Sequence, residues 1–337
     1  MIANLYLHPD TFRYNGSDSR RQVEEKLKLL VSDMGDVVLE HKDENRFKTP
    51  ATLAFTPLYE DVCIYELADG CLSKDEAGIF YPILANISED YDNLTIDQLR
   101  DMCRYNEDET EVNSMLVLNQ PEDYLTEEEM EAVIETERMH RQTVVKDYIT
   151  FDEYKVVYSK QTWTHLRRQI LGNHPGVPSS FILECRKYFS NLCIHDNCIS
   201  SLIDEDFEYL KLAPRKIVYY LSCLNDKFEE VRLNHRELGS NPNVLLADFS
   251  GQYGLDKEGS LQQRPEKKKF LTFDFKNTAG FTCTVLCEPH LKIEHEDYNS
   301  KIRNINHDKF HPRIYFSYNN PEVAEGKILV GSIGKHI

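Results

Sequence analysis

One predicted strand carries a carboxylate, an imidazole and an ammonium group on a single face: Glu288, His290 and Lys292. Apolar side chains fill every second position over residues 281–294. Because successive side chains of a strand point to opposite faces, this alternation predicts a half-buried strand. The three titratable side chains then lie on its outward face, two residues apart. They indicate a chemically active site more than an ordinary solvent face.

A second strand with similar alternation follows. Arg313, Tyr315 and Ser317 alternate with apolar side chains over 313–318. Antiparallel pairing of the two strands brings Arg313 and Tyr315 beside His290 and Lys292.

The last predicted strand spans 327–333 and is followed by Lys335 and His336. Gly331 and Gly334 predict places where the backbone approaches another group closely. The strand carries Lys335 and His336 back onto the same sheet.

These residue types suit cleavage of RNA without a metal ion. A neutral His290 takes the proton from the ribose 2′-OH, and Lys292 with Arg313 stabilises the phosphorane oxygens. His336 or Tyr315 then protonates the leaving 5′-oxygen. The predicted catalytic residues are His290, Glu288, Lys292, Arg313, Tyr315 and His336, with Glu288 tuning His290, and the predicted substrate-binding residues are Lys335 and Lys269. The structural alternative is a packed His290, a solvated Lys292 and an Arg313–Glu288 ion pair.

The last quarter of the chain resembles the small ribonuclease folds of RelE-type toxins, colicin-like nucleases and barnase. The resemblance rests on residues 287–292 (CEPHLK), 313–316 (RIYF) and 333–336 (IGKH). It implies a helix packed on a twisted antiparallel sheet, with residues 213–234 as the candidate helix. It also implies scattered His, Glu, Lys, Arg and Tyr side chains as the catalytic set. The N-terminal part is then a regulatory or partner-binding region of a bacterial toxin or phage-defence protein.

Charge is distributed unevenly along the chain. The net charge is −18, and residues 1–141 hold 32 acidic against 13 basic side chains. Such a chain is a poor general binder of nucleic acid, so RNA binding is expected only at the C-terminal module. The acidic N-terminal region is a candidate surface for a protein partner, although its acid also fits a plain role in solubility.

Nine cysteines without zinc spacing predict reduced thiols and no structural metal. No cofactor motif is present, and neither a leader nor a run of about 18 apolar residues is found. We therefore expect a cytoplasmic protein without a membrane segment. Two metal alternatives remain open: an acidic run for a metal-dependent nuclease and a histidine cluster in a polar loop. Their residues are Asp196, Asp204, Glu205, Asp206 and Glu208, and His290, His295, His307 and His311.

The predicted fold class is α+β, with a mostly helical, acidic N-terminal and middle region before a small antiparallel β-rich C-terminal module. The predicted divisions are an acidic α/β region at 1–141, a helical region at 142–240, a linker or loop at 241–269, and a four-stranded module at 270–337. The leading functional hypothesis is a metal-independent endoribonuclease acting through the C-terminal sheet. The alternative is a non-catalytic protein- or RNA-binding protein, acting as a subunit of a larger complex.

Overall fold

The computed structural model has an α+β fold. It describes residues 1–8, 16, 18–35, 37, 41, 43–85, 91, 94–104, 111–117, 125–142, 156–203, 208–261, 264–294 and 311–336. These residues group into two compact units that divide between Arg167 and Arg168, whereas the sequence predicts divisions at 141, 240 and 269. In the described part of the chain, no helix is both long and apolar enough to cross a membrane.

Unit 1, the described residues up to Arg167, contains a parallel sheet with the strand order β2-β1-β5-β6. Parallel neighbours need crossover connections, and here helices supply them. The strands of unit 1 are β1 (Ile2–Leu7), β2 (Asn45–Lys48), β3 (Pro57–Tyr59), β4 (Val62–Cys63), β5 (Glu111–Leu116) and β6 (Val156–Val157). Its helices are α1 (Arg20–Gly35), α2 (Ile64–Cys71), α3 (Lys74–Ala85), α4 (Ile96–Arg104) and α5 (Glu127–Gln142). Helix α6 (Lys160–Asn173) contains the boundary between the units.

Unit 2, the described residues from Arg168 onward, is built on a five-stranded sheet with the order β7-β13-β12-β11-β8. Strand β7 is parallel to β13, and the other neighbours are antiparallel. Its strands are β7 (Leu192–Ile194), β8 (Lys257–Ser260), β9 (Thr272–Lys276), β10 (Thr282–Leu286), β11 (His290–Lys292), β12 (Arg313–Ser317) and β13 (Ile328–Gly334). Its helices are α7 (Pro178–Tyr188), α8 (Asn197–Ser201), α9 (Tyr209–Leu212), α10 (Pro214–Asp226), α11 (Phe228–Leu238), α12 (Pro242–Gln252) and α13 (Pro265–Lys268).

Both faces of the five-stranded sheet are covered, at least in part. Ile314, Phe316 and Val330 share one apolar core with residues of helices α7, α10 and α12. Tyr315 and Leu329 belong to a second core, with residues of the β9–β10 hairpin. The outward face that the sequence predicts is therefore partly an interior surface.

The predicted strand 281–294 is two strands in two sheets. Strand β10 pairs with β9 in a separate hairpin, and β11 pairs with β12 and β8. Between them Cys287 N donates to Leu271 O, and Pro289 O accepts from Phe316 N. Pro289 has no N–H to continue a ladder, so the chain changes sheets at this point. The prediction of one four-stranded antiparallel sheet is wrong, since only β11, β12 and β13 of the predicted segments share a sheet.

Two further predictions differ from the structure. The segment 241–269, predicted as a linker or loop, contains α12 and β8. The candidate helix 213–234 is divided into α10 and α11, because Lys227 has φ −127° and ψ −23°.

Glycines in β13 allow the close approaches that the sequence predicts. A Cβ at Gly331 would overlap the ring of Phe273, and one at Gly334 would overlap the carbonyl oxygen of Ser201. Gly334 also has φ +152°, a conformation that side chains disfavour. The prediction for both glycines is confirmed.

Candidate functional site

The two strands predicted to carry the site are neighbours in the sheet. In the antiparallel register His290 lies opposite Tyr315, and Lys292 lies opposite Arg313. The sequence predicts this pairing, and the register confirms it. Two cationic side chains and an imidazole are thereby brought together at one end of β11 and β12.

His290 is buried, with 3% of its surface exposed. Its Nε2 atom lies 3.1 Å from Arg313 Nη1 and 3.2 Å from Ser260 Oγ, while its Nδ1 atom lies 3.3 Å from the carbonyl oxygen of Glu288. Because a guanidinium nitrogen can only donate, Nε2 accepts from Arg313 and the ring proton resides on Nδ1. Nδ1 then donates to Glu288 O.

Burial lowers the pKa of His290 to about 3, and the positive charge of Arg313 acts in the same direction. Lys292 and His336 lower this pKa further, whereas the hydrogen bond to Glu288 O raises it. The imidazole is neutral at pH 7, but its basic nitrogen already accepts hydrogen bonds. His290 is therefore suited to orienting Arg313, and poorly suited to taking a proton from a substrate.

Lys292 and Arg313 are half-buried. Lys257 of β8 lies opposite Lys292 in the strand register. Burial lowers the pKa of Lys292, and repulsion from Arg313 and Lys257 lowers it further, against a small opposing effect of Glu258. Lys257 forms an ion pair with Glu294, but no described carboxylate forms an ion pair with Lys292. We refer to Lys257, Lys292 and Arg313 as the cationic site. The mutual repulsion of these cations favours a bound anion, and the Arg313 fork matches a phosphate.

Glu288 has a different partner from the one the sequence predicts. Its carboxylate lies 2.7 Å from Lys268 Nζ, and its backbone carbonyl is what contacts His290. The side chain of Glu288 thus joins α13 to the start of β11.

The remaining predicted residues are spread over unit 2. Tyr315 is fully buried, with its ring centroid 5.0 Å from that of His290, so its phenol is enclosed by protein. His336 is partly exposed and is close enough to lower the pKa of His290. Lys335 and Lys269 are exposed, and Lys269 Nζ lies 4.9 Å from the centre of the Phe270 ring.

A hydrogen-bond network fixes the end of β11 that carries Lys292. Tyr220 OH, on α10, donates to Lys292 O over 3.2 Å and accepts from Asp256 N over 2.7 Å. The Asp256 carboxylate accepts from Glu294 N at 2.8 Å and from Lys216 Nζ at 3.0 Å. Lys216 also donates to Glu294 O at 2.6 Å. The backbone of Lys292 is held between a helix and the segment before β8.

Sequence reasoning missed the contributions of β8, namely Lys257 and Ser260. The segment is polar, and at Gly259 the strand lacks the apolar side chain that would have shown its alternation. A Cβ at Gly259 would lie 3.1 Å from Leu291 and 3.3 Å from His290 O. A larger residue at this position would press on β11, and the missing side chain interrupts the alternation by which the strand could have been recognised.

The metal alternatives gain no geometric support. Among the described residues, no group of three or more His, Cys, Asp or Glu side chains is placed to hold a metal ion. His311 and Asp196 are described, and Asp196 pairs with Arg186 at 2.5 Å. Asp204, Glu205, Asp206, His295 and His307 lie outside the described residues.

Unit 1 contains a separate buried charged cluster, in which the contacts of His8 and Arg100 were not predicted from the sequence. His8 follows β1, and its Nε2 lies 3.1 Å from Glu129 Oε1 on α5. Arg100 Nε on α4 lies 3.0 Å from the same oxygen, and Thr126 completes a capping box with Glu129. Burial alone would raise the pKa of Glu129, but hydrogen bonds from His8, Arg100 and Thr126 hold it well below its usual range.

No known protein family, curated protein or solved structure matches this chain.

Proposed function

We propose that unit 2 binds the phosphate backbone of RNA at the cationic site. The observation that carries this proposal is the cross-strand pair of Lys292 and Arg313, in which two half-buried cations repel each other. A bound phosphate relieves this repulsion and accepts hydrogen bonds from both side chains. Partial burial strengthens each contact relative to one in water.

Nearby residues favour a polyanion as the ligand. Lys335 follows β13 directly, and β13 pairs with β12 so that Gly334 lies opposite Arg313. A second exposed basic segment, which includes Lys269, is joined to β11 through the Lys268–Glu288 ion pair. Positive charge extending beyond one phosphate-sized site fits a chain of phosphates.

Metal-independent cleavage of the bound RNA is the second candidate function, favoured by the lowered pKa of Lys292. In its neutral form Lys292 takes the proton of a ribose 2′-OH, and the 2′-oxygen attacks phosphorus. Arg313 stabilises the charged phosphorane, and His336 protonates the 5′-oxygen as its bond to phosphorus breaks. The products are a 2′,3′-cyclic phosphate and a free 5′-OH. His290 acts as a positioning residue for Arg313 in this scheme.

The binding test uses fluorescence anisotropy of a labelled single-stranded RNA of about 12 nucleotides, in EDTA, over a series of salt concentrations. The protein is compared with Lys292→Ala and with Lys276→Ala. Lys276 is an exposed control on the β9–β10 hairpin, where its Nζ donates to Thr282 Oγ1. We expect Lys292→Ala to weaken binding at least tenfold and to reduce the salt slope by about 0.7 for one lost phosphate contact.

Equal affinities for the two variants would refute the cationic site as the binding site. The same samples are resolved on a denaturing gel to test cleavage. Fragments ending in a cyclic phosphate, formed by the wild type and absent with Lys292→Ala, support the second candidate. Binding without fragments leaves RNA binding as the function and rejects cleavage.

A further inference from the structure

A short basic and aromatic segment precedes β9. Residues 267–270 read Lys-Lys-Lys-Phe and cover the end of α13 and the start of a 3-10 turn. Phe270 is 56% exposed, and the Nζ atom of Lys269 lies 4.9 Å from its ring centre. Neither Lys267 nor Lys269 forms an ion pair with a described residue. We call residues 267–270 the KKKF segment.

The KKKF segment is fixed to the strand that carries the cationic site. Lys268 Nζ lies 2.7 Å from the Glu288 carboxylate, and Cys287 N donates to Leu271 O over 2.8 Å. The carbonyl of Glu288 in turn accepts from His290, whose Nε2 faces Arg313. A continuous set of direct contacts thus joins the segment to Arg313.

We propose that the KKKF segment is a stacking subsite for a nucleobase of single-stranded RNA, with Phe270 as the platform. This inference rests on the proposed function and names the form of RNA that the site binds. An exposed ring stacks on an unpaired base of any sequence, and the adjacent lysines bind the flanking phosphates. The bases of a duplex are already stacked and present no face to the ring, so the subsite selects single strands.

Phe281 provides a matched control for Phe270. It is 71% exposed and lies in the β9–β10 hairpin that directly follows the KKKF segment. The register places Thr282 opposite Lys276 and Leu286 opposite Thr272, so Phe281 lies at the turn end of the hairpin and Phe270 at the opposite end. Lys276 is the lysine nearest to Phe281 in the strand register, and its Nζ donates a hydrogen bond to Thr282 Oγ1.

The test compares Phe270→Ala, Phe270→Trp and Phe281→Ala in the full chain, using anisotropy with a single-stranded RNA and a duplex of the same sequence. Since both phenylalanines are exposed, we expect all three variants to fold. Phe270→Ala should weaken single-strand binding about tenfold and leave duplex binding unchanged. Phe270→Trp should retain the wild-type affinity, because an indole also stacks, and Phe281→Ala should match the wild type.

A 2-aminopurine base in the single-stranded RNA gives an independent readout. Its fluorescence should change on binding to wild type and Phe270→Trp, and less with Phe270→Ala. Wild-type affinity of Phe270→Ala, combined with weak binding by Lys292→Ala, would overturn the stacking subsite while leaving the proposed function intact. Equal losses for Phe270→Ala and Phe281→Ala would also overturn it. A folded wild type that binds no RNA would refute both proposals.

Discussion

The Nη1 atom of Arg313 lies 3.1 Å from Nε2 of His290, so the guanidinium donates to the only ring nitrogen that can accept. The sequence suggests His290 as a general base, but this contact uses its lone pair for holding a cation. The buried imidazole, which also contacts Ser260 Oγ, thereby holds Arg313 in place. In this arrangement His290 positions Arg313, the proposed phosphate ligand, and its own basic nitrogen is already occupied.

The buried, neutral His290 predicts an acid-dependent loss of stability. Its pKa is about 3 in the folded protein, against an ordinary value of 6.5. The lowered pKa means that the stability is fully present above pH 6.5 and is lost as pH falls toward 3. This residue adds up to about 1.4 kcal/mol per pH unit to the slope of unfolding free energy against pH.

Urea unfolding of wild type and His290→Asn between pH 6 and 4 checks this prediction. The slope of the unfolding free energy of unit 2 against pH should be steeper in the wild type than in His290→Asn. The difference should reach at most the value for one bound proton, about 1.4 kcal/mol per pH unit. Identical slopes would show that His290 titrates alike in the folded and unfolded states.

The hydrogen-bond network that holds the Lys292 end of β11 predicts that the buried Tyr220 hydroxyl affects RNA binding. Tyr220→Phe removes the group that joins Lys292 O to Asp256 N, leaving both backbone atoms without this partner. We expect a loss of about 1 kcal/mol in stability and several-fold weaker RNA binding, because Lys292 is held less firmly. Tyr219→Phe is the control, since its hydroxyl donates to Tyr253 O. The control should lose similar stability and keep its RNA affinity, and equal affinities of the two variants would contradict the positioning role.

The close packing of Gly331 against the β9–β10 hairpin predicts that a larger side chain at this position lowers the stability of unit 2. In Gly331→Ala the new methyl group would overlap the Phe273 ring and lie 2.9 Å from Cys287 Sγ. Such overpacking should lower the unfolding free energy of unit 2 by about 1–3 kcal/mol. Gly251→Ala on α12 is the control, because no atom lies within 4 Å of its added methyl group. Amide hydrogen exchange in β12 and β13 measures both variants, and unchanged protection in Gly331→Ala would contradict the packing described.

The charged cluster of unit 1 predicts a second acid-sensitive element. Glu129→Gln removes the carboxylate that His8 and Arg100 share, and we expect unit 1 to lose about 3 kcal/mol. The lowered pKa of Glu129 means that this stability is present above its ordinary value of 4.5 and is lost as pH falls below it. Glu127→Gln, an exposed change in the same helical turn, is the control. Hydrogen exchange in β1 and α5 at pH 7 should distinguish the two, and equal protection would contradict a structural role for the cluster.

The sequence predicted the local pairings of the site better than the sheet to which they belong. Alternation identified the strands around His290 and Arg313, and their antiparallel register is as expected. The strands joining that sheet from elsewhere were missed, since β8 is polar and carries Gly259, and β7 has only three residues. Long-range pairing of such short strands is set by packing, and periodicity within a segment does not report it.

Burial of the site residues was the second feature that could not be predicted from the sequence. Phe281 was predicted on the buried face and is 71% exposed, whereas His290 was predicted outward and is 3% exposed. Phe281 lies at the turn of the β9–β10 hairpin, whereas the chain changes sheets at Pro289 and enters the five-stranded sheet at His290. The hairpin also supplies residues to the core that covers Tyr315. Period-two alternation divides side chains between two faces, but it does not say whether both faces are covered.

The most direct test of RNA binding at the cationic site is the affinity of Arg313→Ala for single-stranded RNA in EDTA, measured beside wild type and with circular dichroism to verify folding. We predict at least tenfold weaker binding and a salt slope smaller by about 0.7. A folded Arg313→Ala protein that binds RNA with wild-type affinity and slope would contradict the account.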